Sequence, residues 1–305
     1  VKKYILVFGG TGFIGESVVE ELIRQDYTPI VITHKRKLES NDKAIFIQGD
    51  ASNKESYKSV FDEYKIEACI YLIGVIKENK NLTFIDAHYT WPKEILSVCQ
   101  KYSVEHFVFM SADGVEKRLT PYQKTKYKFE EYLIAEAEKG SFSYSIIRPP
   151  IVLGDSSQYN FANVAKQITS FYFVPLFGSG KFEFSYIGRK VVSAAIVKSL
   201  TEKPNFISLE YSTTEYKDFV KKIARIFNKK IIFIPIPIFF FRLAITLFGW
   251  LPFFPLTNDL FCTWSAAAAY SLVPTSASVH VELSGDVCTK SLCLFTSYAG
   301  ADASI

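Results

Sequence analysis

The amino-acid sequence predicts an α/β protein in which helices cover both faces of a doubly wound parallel sheet. Through about the first 150 residues, short runs that are apolar throughout alternate with amphipathic helical runs. Strands of this kind are typical of parallel sheets that are buried on both faces. A cluster of spaced glycines also joins the first apolar run to the first helix. We therefore expect a ligand at the carboxyl ends of the strands.

The elements of the first half follow one another in a regular order. Strands are predicted at residues 4–8, 29–33, 44–48, 68–73, 106–110 and 144–148. Helices are predicted between them at residues 12–25, 52–64, 84–102 and 122–139. The β-rich runs and the helical runs thus repeat the βαβ unit of a parallel sheet.

The regular alternation of strands and helices ends after Pro149. Helical stretches dominate at residues 160–171, 189–200 and 214–227, with short strands near 183–187 and 206–210. We therefore divide the chain into a nucleotide-binding domain, a smaller α/β lobe for a substrate or partner, and a tail of unknown role. The predicted boundaries of these parts are residues 1–150, 151–258 and 259–305.

Composition excludes several classes of protein. Hydrophobic residues make up 49% and charged residues 22% of the 305 positions, as in ordinary globular proteins, which excludes disordered, collagen-like and coiled-coil chains. The net charge of +4 is too small to require a nucleic acid as partner. The five cysteines show no CxxC spacing, so neither a metal site nor a disulfide framework is predicted. A cytoplasmic location with reduced thiols is the expectation.

One segment, residues 231–256, is strongly apolar. Pro235, Pro237 and Pro252 interrupt it and Arg242 lies within it, whereas a membrane-spanning helix needs about 20 mostly apolar residues. Burial in the protein is the first interpretation. Contact with a membrane surface or with a protein complex, and hence a peripheral membrane location, is the second.

The glycine cluster has the spacing of a phosphate-binding loop. Gly9 permits the tight turn from strand to helix, Gly12 lets the backbone approach a pyrophosphate, and Gly15 lets the helix pack closely on the sheet. The N–H groups at the helix N-terminus then bind the phosphates. A merely tight turn is the alternative. The position between a strand and a helix predicts a Rossmann-like dinucleotide site.

The end of the second strand indicates which dinucleotide is bound. No acidic residue follows it before Leu38, whereas sites for NAD(H) usually carry one there. His34, Lys35 and Arg36 are suited instead to a 2′-phosphate, so NADP(H) is predicted as the preferred cofactor and NAD(H) is the alternative. The alternative is that these residues form only a solvated basic turn, which would not distinguish NADP(H) from NAD(H). Further along, two residues follow predicted strands: Asp50, which we place at the adenine, and Gly74, where the backbone passes close to the cofactor.

Tyr122 and Lys126 are four residues apart and share one face of a predicted helix. A nearby ammonium lowers the pKa of a phenol, so this tyrosine is a candidate acid–base group for hydride-transfer chemistry. Ser111, at the end of the fifth strand, is a candidate donor to the substrate oxygen. A surface pair without chemistry is the alternative.

Together, the ordered motifs resemble the short-chain dehydrogenase/reductase superfamily over residues 1–258, and within it the extended and atypical branches. These motifs are GGTGFIG, GD at 49–50, YLIG at 71–74, FVFMS at 107–111, YQKTK at 122–126 and RPPIVLG at 148–154. The atypical branch includes the NADPH-binding 39-kDa accessory subunit of respiratory complex I, and the extended branch includes NAD-dependent epimerase/dehydratase proteins.

The resemblance implies a role for each matching residue. The pyrophosphate would lie on the glycine loop, which also contains Thr11, Phe13 and Ile14. Ala51 would lie beside the adenine, and Tyr122 and Lys126 would bind the nicotinamide ribose as well as transfer the proton. Pro149 would border the nicotinamide.

Ala112 departs from the family pattern, because the extended enzymes usually have Ser or Thr at that position. Two functions therefore stay open. The first is an NADP(H)-dependent oxidoreductase or epimerase acting on a carbonyl or hydroxyl carbon, which the Tyr–Lys pair favours. The second is a non-catalytic NADPH-binding structural or redox-sensing subunit of a respiratory or membrane complex. The substrate itself has no recognisable motif.

Overall fold

A computed structural model describes most of the chain up to residue 236. The described residues are 2–34, 38–75, 78–80, 82–140, 142–154, 173–177, 183–226 and 228–236. They fall into two compact units, of which the first contains the residues up to Val152 together with Gly188–Glu210. The second contains the described residues of Leu153–Ile187 and those from Tyr211 onward.

The elements of the described residues are as follows. The strands are β1 Lys3–Phe8, β2 Tyr27–Thr33, β3 Ile45–Gln48, β4 Ile66–Tyr71, β5 His106–Met110, β6 Ser143–Ile147, β7 Ile151–Leu153, β8 Phe173–Phe177, β9 Glu183–Gly188, β10 Phe206–Ile207, β11 Ser212–Glu215 and β12 Ile232–Ile236. The α-helices are α1 Phe13–Arg24, α2 Ser59–Glu63, α3 Trp91–Lys101, α4 Pro121–Ala137, α5 Arg189–Glu202 and α6 Tyr216–Ile226.

The first unit is built on a seven-stranded parallel sheet with the order β10-β6-β5-β4-β1-β2-β3. The chain moves from β1 outward through β2 to β3, and then returns to place β4 on the other side of β1. This reversal creates a crevice at the carboxyl ends of β1 and β4, where ligands bind in sheets of this kind. The fold predicted from the sequence is therefore confirmed.

The core of the first unit follows from the apolar strands. Leu6, Phe8, Cys69 and Phe107 are fully or almost fully buried among the side chains of the neighbouring strands and helices. Helices α1 and α5 approach each other closely, because small residues lie between them. The hydroxyl groups of Ser17 and Ser193 are 2.9 Å apart in this buried contact.

The described strands of the second unit pair in two sheets. β11 pairs antiparallel with β9, and β12 pairs parallel with β8. The amphipathic helix α6 buries Phe219, Val220 and Ile223 on one face, and the ring of Phe219 lies 5.9 Å from that of Tyr186.

Two differences from the sequence prediction concern the domain division and the second predicted helix. The predicted division at residue 150 puts Gly188–Glu210 in the second lobe, whereas α5 and β10 belong to the first unit, because β10 adds an edge strand beside β6. The predicted helix at 52–64 is also broken into a 3₁₀ turn at Lys54–Ser56 and the short α2. The Asn53 side chain accepts the Glu55 N–H and thereby caps the start of the 3₁₀ turn.

Three predicted segments lie largely or wholly outside the described residues. They are the helix at 160–171 and the tail at 259–305, together with most of the apolar segment 231–256. The described start of that segment, Ile232–Ile236, is the strand β12. Among the described residues, no helix has the length and apolar character needed to cross a membrane.

Candidate active site

The glycine loop joins β1 to α1 at the crevice. Gly9 has a φ of +81°, a left-handed conformation that favours glycine, and its carbonyl accepts the Gly12 N–H at 3.1 Å. A Cβ atom on Gly15 would lie only 2.0 Å from the Gly9 carbonyl oxygen. The turn of α1 therefore lies directly against the loop, and only glycine fits there. Thr11 in the loop is half-buried, as are Phe13 and Ile14 in the first turn of α1.

Arg189, which the sequence reasoning missed, braces this loop from the start of α5. Its Nη1 donates to the Phe13 carbonyl at 3.1 Å, and its guanidinium lies 5.2 Å from the centre of the Phe13 ring. In a helix each carbonyl points toward the C-terminus and each N–H toward the N-terminus. A bond to the Phe13 carbonyl thus helps fix the peptide whose N–H group faces the loop. Its separation of 176 residues from Phe13 leaves no local sequence signal.

The second part of the predicted site lies at the ends of β2 and β3. His34 Nδ1 is 3.1 Å from a carboxylate oxygen of Asp50, and both the N–H and the hydroxyl of Ser52 donate to Asp50. Burial opposes ionisation of Asp50, but these hydrogen bonds and His34 keep its pKa below the ordinary value. Ala51 is buried beside it. Lys35 and Arg36 lie outside the described residues.

Tyr122 and Lys126 lie in the first half of α4, which begins at a well-formed N-terminus. The Thr120 hydroxyl accepts the Gln123 N–H, the Gln123 side chain accepts the Thr120 N–H, and Pro121 occupies the first turn. This cap fixes where the helix starts. It thereby fixes the face on which the two residues lie.

Lys126 is almost fully buried, with 1% of its surface exposed. Its Nζ donates to the Met110 carbonyl at 2.8 Å and lies 5.6 Å from the centre of the Tyr122 ring. Burial lowers the pKa of Lys126 to about 7, and the Glu130 carboxylate opposes this shift only in part. The structure thus brings the predicted pair together beside the carboxyl end of β5.

Glu130, one helical turn beyond Lys126, is held in place by Arg148. Glu130 is 1% exposed, and Arg148 binds it through two parallel hydrogen bonds, of which the Nε one is 3.0 Å long. Burial disfavours the charged guanidinium, but Glu130 and Glu116 outweigh it and raise the pKa of Arg148. This pair anchors α4 to the end of β6.

Ser111 lies next to Met110 at the end of β5. Its N–H donates to the Ile147 carbonyl at 2.8 Å, so the backbone is fixed. Its hydroxyl is buried and has no hydrogen-bond partner among the residues the structure describes. Such an orphaned buried hydroxyl costs free energy and suits a position where a ligand supplies the missing partner. Ala112 beside it is buried and carries no hydroxyl.

The other two predicted residues lie on the loops that flank this cluster. Pro149 is buried, and its carbonyl accepts the Asp113 N–H at 3.1 Å. A Cβ atom on Gly74 would lie 3.6 Å from Lys126 Nζ, which is an ordinary contact, so sterics within the chain do not require glycine there. Gly74 is nevertheless exposed immediately beside the lysine.

A histidine that the sequence reasoning passed over completes the cluster. His88 is fully buried, and its ring meets that of Tyr122 edge-on at 5.0 Å. No sequence motif marks it. Among the described residues, no three His, Cys, Asp or Glu side chains are grouped so that they could hold a metal ion.

Known proteins are similar to this chain in sequence. The model of the NAD dependent epimerase/dehydratase family matches residues 5–205, which is more than half of the chain. The chloroplastic divinyl chlorophyllide a 8-vinyl-reductase of Arabidopsis thaliana is 31% identical over 159 residues, which are 48% of this chain and 38% of that protein. The chain thus spans less than half of the reductase.

A second relative matches over a longer stretch. The mitochondrial NADH dehydrogenase [ubiquinone] 1 alpha subcomplex subunit 9 of Mus musculus is 28% identical over 273 residues, covering 83% of this chain and 68% of that protein. Among solved structures, UDP-glucose 4-epimerase of Thermotoga maritima superposes with a TM-score of 0.64 at 22% identity, over 77% of this chain and 85% of that one. At this identity the structural likeness shows the fold.

Proposed function

The chain belongs to the NAD-dependent epimerase/dehydratase family, as its motifs indicate, and from that premise we propose that it is an NADP(H)-dependent oxidoreductase or epimerase. Its substrate carries a carbonyl or hydroxyl carbon, and Tyr122 and Lys126 form the acid–base pair. The observation that carries this proposal is the buried Lys126, which lies beside the Tyr122 ring and binds the carbonyl of the residue before Ser111. The Ser111 hydroxyl has no hydrogen-bond partner among the described residues.

The glycine loop fits a dinucleotide. The close contact between Gly15 and the Gly9 carbonyl leaves the N–H groups of the first turn of α1 at the crevice, and such groups have no partner within a helix. They bind the pyrophosphate with the help of the helix dipole. Arg189 lies near the same turn, where its guanidinium is also 4.0 Å from the Glu16 carboxylate. The dinucleotide then extends toward β2 and Asp50 in one direction and toward β4 and β5 in the other.

The basic turn after β2 supports a preference for NADP(H). Thr33 ends the strand and is buried, and no carboxylate follows before Leu38 to accept a ribose 2′-hydroxyl. His34 is already held by Asp50, so Lys35 and Arg36 are the residues we assign to the 2′-phosphate.

That assignment predicts a difference between the two cofactors. The Arg36→Ala variant should bind NADPH about tenfold more weakly, because it loses one charge-assisted hydrogen bond, while its affinity for NADH stays the same. Fluorescence titration of the reduced cofactors measures both affinities. The matched control is Lys43→Ala, which removes an exposed charge after the same strand and should change neither affinity. Equal losses for NADPH and NADH in Arg36→Ala would contradict the assignment.

The chemistry follows from the cluster at β5 and α4. A bound nicotinamide supplies the hydride donor or acceptor. The Tyr122 hydroxyl gives a proton to the substrate oxygen or takes one from it. The ammonium of Lys126 lowers the cost of the phenolate that forms. The Ser111 hydroxyl donates to the same substrate oxygen and gains the partner that it lacks among the described residues.

Substitution of Tyr122 tests this mechanism. Tyr122→Phe should lower turnover about 100-fold or more, which is the usual contribution of a positioned acid–base group, and this loss should far exceed any loss of NADPH affinity from the ribose contact. Tyr127→Phe is the control, because Tyr127 lies on the same helix but its ring packs on Arg118. Unchanged turnover in Tyr122→Phe would refute the role of this residue.

Ala112 favours a second function, an NADPH-binding subunit without catalysis. It is buried where the family's enzymes usually carry a hydroxyl, and the mitochondrial subunit named above matches across most of the chain. This function predicts tight NADPH binding without turnover over a panel of aldehydes, ketones and sugar nucleotides. It also predicts co-purification of the full chain with a membrane complex. Turnover that Tyr122→Phe abolishes would exclude it.

A further inference from the structure

His88 occupies a helical turn that is wider than an α-helical turn. Residues Asp86–Thr90 form a π-turn at the start of the helix that continues as α3. Pro92 has no N–H to donate to the His88 carbonyl, and its ring would clash with that carbonyl in a regular helix. The wider turn relieves this conflict, and the side chain at position 88 is fully buried. Such π-turns are frequent at functional sites.

Two hydrogen bonds fix the ring of His88. The Val75 N–H donates to Nε2 at 3.1 Å, and Nδ1 lies 3.1 Å from the Thr125 hydroxyl. Because Nε2 accepts, the neutral ring carries its proton on Nδ1 and donates to Thr125. The Thr125 oxygen lies 3.0 Å from the carbonyls of both Pro121 and Tyr122 and can donate to either.

These bonds join two parts of the candidate site. On one side, Leu72 and Ile73 approach Gly9 so closely that a Cβ there would lie 3.1 and 3.0 Å from their backbone atoms. The stretch that leads to Val75 therefore borders the glycine loop. On the other side, the Tyr122 ring lies edge-on to His88 at 5.0 Å.

The ring is also neutral in its surroundings. Burial lowers the pKa of His88 well below its ordinary value, and the nearby Lys126 ammonium lowers it further. The Phe84 ring stacks on the His88 ring, with the two ring centres 5.6 Å apart. A ring that keeps one tautomer can hold both hydrogen bonds at once.

We propose that His88 is a positioning residue that couples the backbone at the carboxyl end of β4, where the cofactor is expected, to Tyr122 on α4. The proposal deepens the proposed function and rests on it for the identity of the ligand. Through Nε2 the ring fixes the Val75 peptide, and through Nδ1 it fixes the first turn of α4. Loss of either bond should disturb one side of the site.

Two conservative variants separate the two bonds. In His88→Gln the amide oxygen reaches the place of Nε2 and still accepts the Val75 N–H, whereas in His88→Asn the amide nitrogen takes the place of Nδ1 and still donates to Thr125. His88→Asn should therefore bind NADPH about tenfold more weakly, since one buried hydrogen bond is lost, while His88→Gln keeps the wild-type affinity. For turnover at saturating NADPH, His88→Gln should fall about tenfold.

Thr125→Val is the partner variant. It removes the acceptor of Nδ1 and should match His88→Gln in turnover, and the double variant should lose no more than either single one, because both remove the same bond. Equal effects of His88→Gln and His88→Asn on affinity and turnover would show that the ring only fills space, and would overturn the proposal.

A third measurement does not depend on the cofactor or on turnover. Nitrogen chemical shifts of the His88 ring, assigned among the four histidines by their loss in His88→Gln, report its tautomer in the free protein. The proposal requires a neutral ring with the proton on Nδ1 near neutral pH. A charged ring or a proton on Nε2 would overturn it, even if the protein turns over a substrate. A correct tautomer in a protein that binds no NADPH would instead count against the proposed function.

Discussion

The buried ammonium of Lys126 makes the stability of the protein depend on pH in a defined direction. Burial lowers its pKa from 10.5 to about 7 in the folded state, while the unfolded chain keeps the ordinary value. Between these two values the unfolded state binds more protons than the folded state, so stability rises with pH through this window. Below about pH 7 Lys126 is charged in both states, so the full free-energy cost of burying its charge lowers the stability of the folded protein.

The magnitude follows from these two pKa values. From about pH 7.5 to about pH 9.5, the Lys126 contribution to the free energy of unfolding should rise by about 2.5 kcal/mol, at 1.36 kcal/mol per unit of pKa difference. The Lys126→Met variant keeps the length of the side chain and removes the titrating group. The wild-type protein should therefore gain about 2.5 kcal/mol relative to this variant over the same range.

Urea unfolding followed by circular dichroism at several pH values measures this difference. Groups that titrate in both proteins cancel when the two curves are subtracted. Lys124→Met is the matched control, because Lys124 lies on the same helix and is exposed, and its curve should run parallel to that of the wild type. If the curves of wild type and Lys126→Met are also parallel, Lys126 is not held as a desolvated amine and the reasoning fails.

Two further substitutions test the framework of the site. Gly15→Ala places a Cβ 2.0 Å from the Gly9 carbonyl oxygen and should destabilise the protein by about 3 kcal/mol through overpacking. Thermal unfolding measures this loss. Gly188→Ala is the control, because its Cβ would lie 3.9 Å from the nearest atom. Arg148→Met leaves the buried Glu130 carboxylate without its bidentate partner and should cost about 3 kcal/mol, whereas Arg148→Met combined with Glu130→Leu should recover most of that loss. No recovery in the double variant would contradict the account of this pair.

Local patterns predicted the sheet well because each strand can be recognised from the apolar residues that it contains. The run His106–Met110 is uniformly apolar apart from its first residue, and the structure makes it β5 with the predicted bounds. The glycine spacing likewise predicted the close contact between α1 and the loop, since only Gly15 fits against the Gly9 carbonyl. The pairing of Tyr122 with Lys126 followed from helical periodicity alone.

Contacts between distant parts of the chain could not be predicted in this way. Arg189 reaches Phe13 across 176 residues, and nothing near either residue signals the contact. His88 enters the site through hydrogen bonds with the Val75 N–H and the Thr125 hydroxyl, which lie 13 and 37 residues away in the sequence. No local pattern signals these contacts. The interruption of helix 52–64 was missed for a different, local reason: the side chain of Asn53 caps a short turn, and hydrophobic periodicity does not record such a cap.

Cofactor titration of the 305-residue chain tests the central claim most directly. Increasing amounts of protein are added to NADPH and, separately, to NADH, and the nicotinamide fluorescence is followed to saturation. The account predicts saturable binding of one cofactor per chain, with NADPH bound at least about tenfold more tightly than NADH because of the 2′-phosphate contacts. Absence of saturable binding for both nucleotides would contradict it.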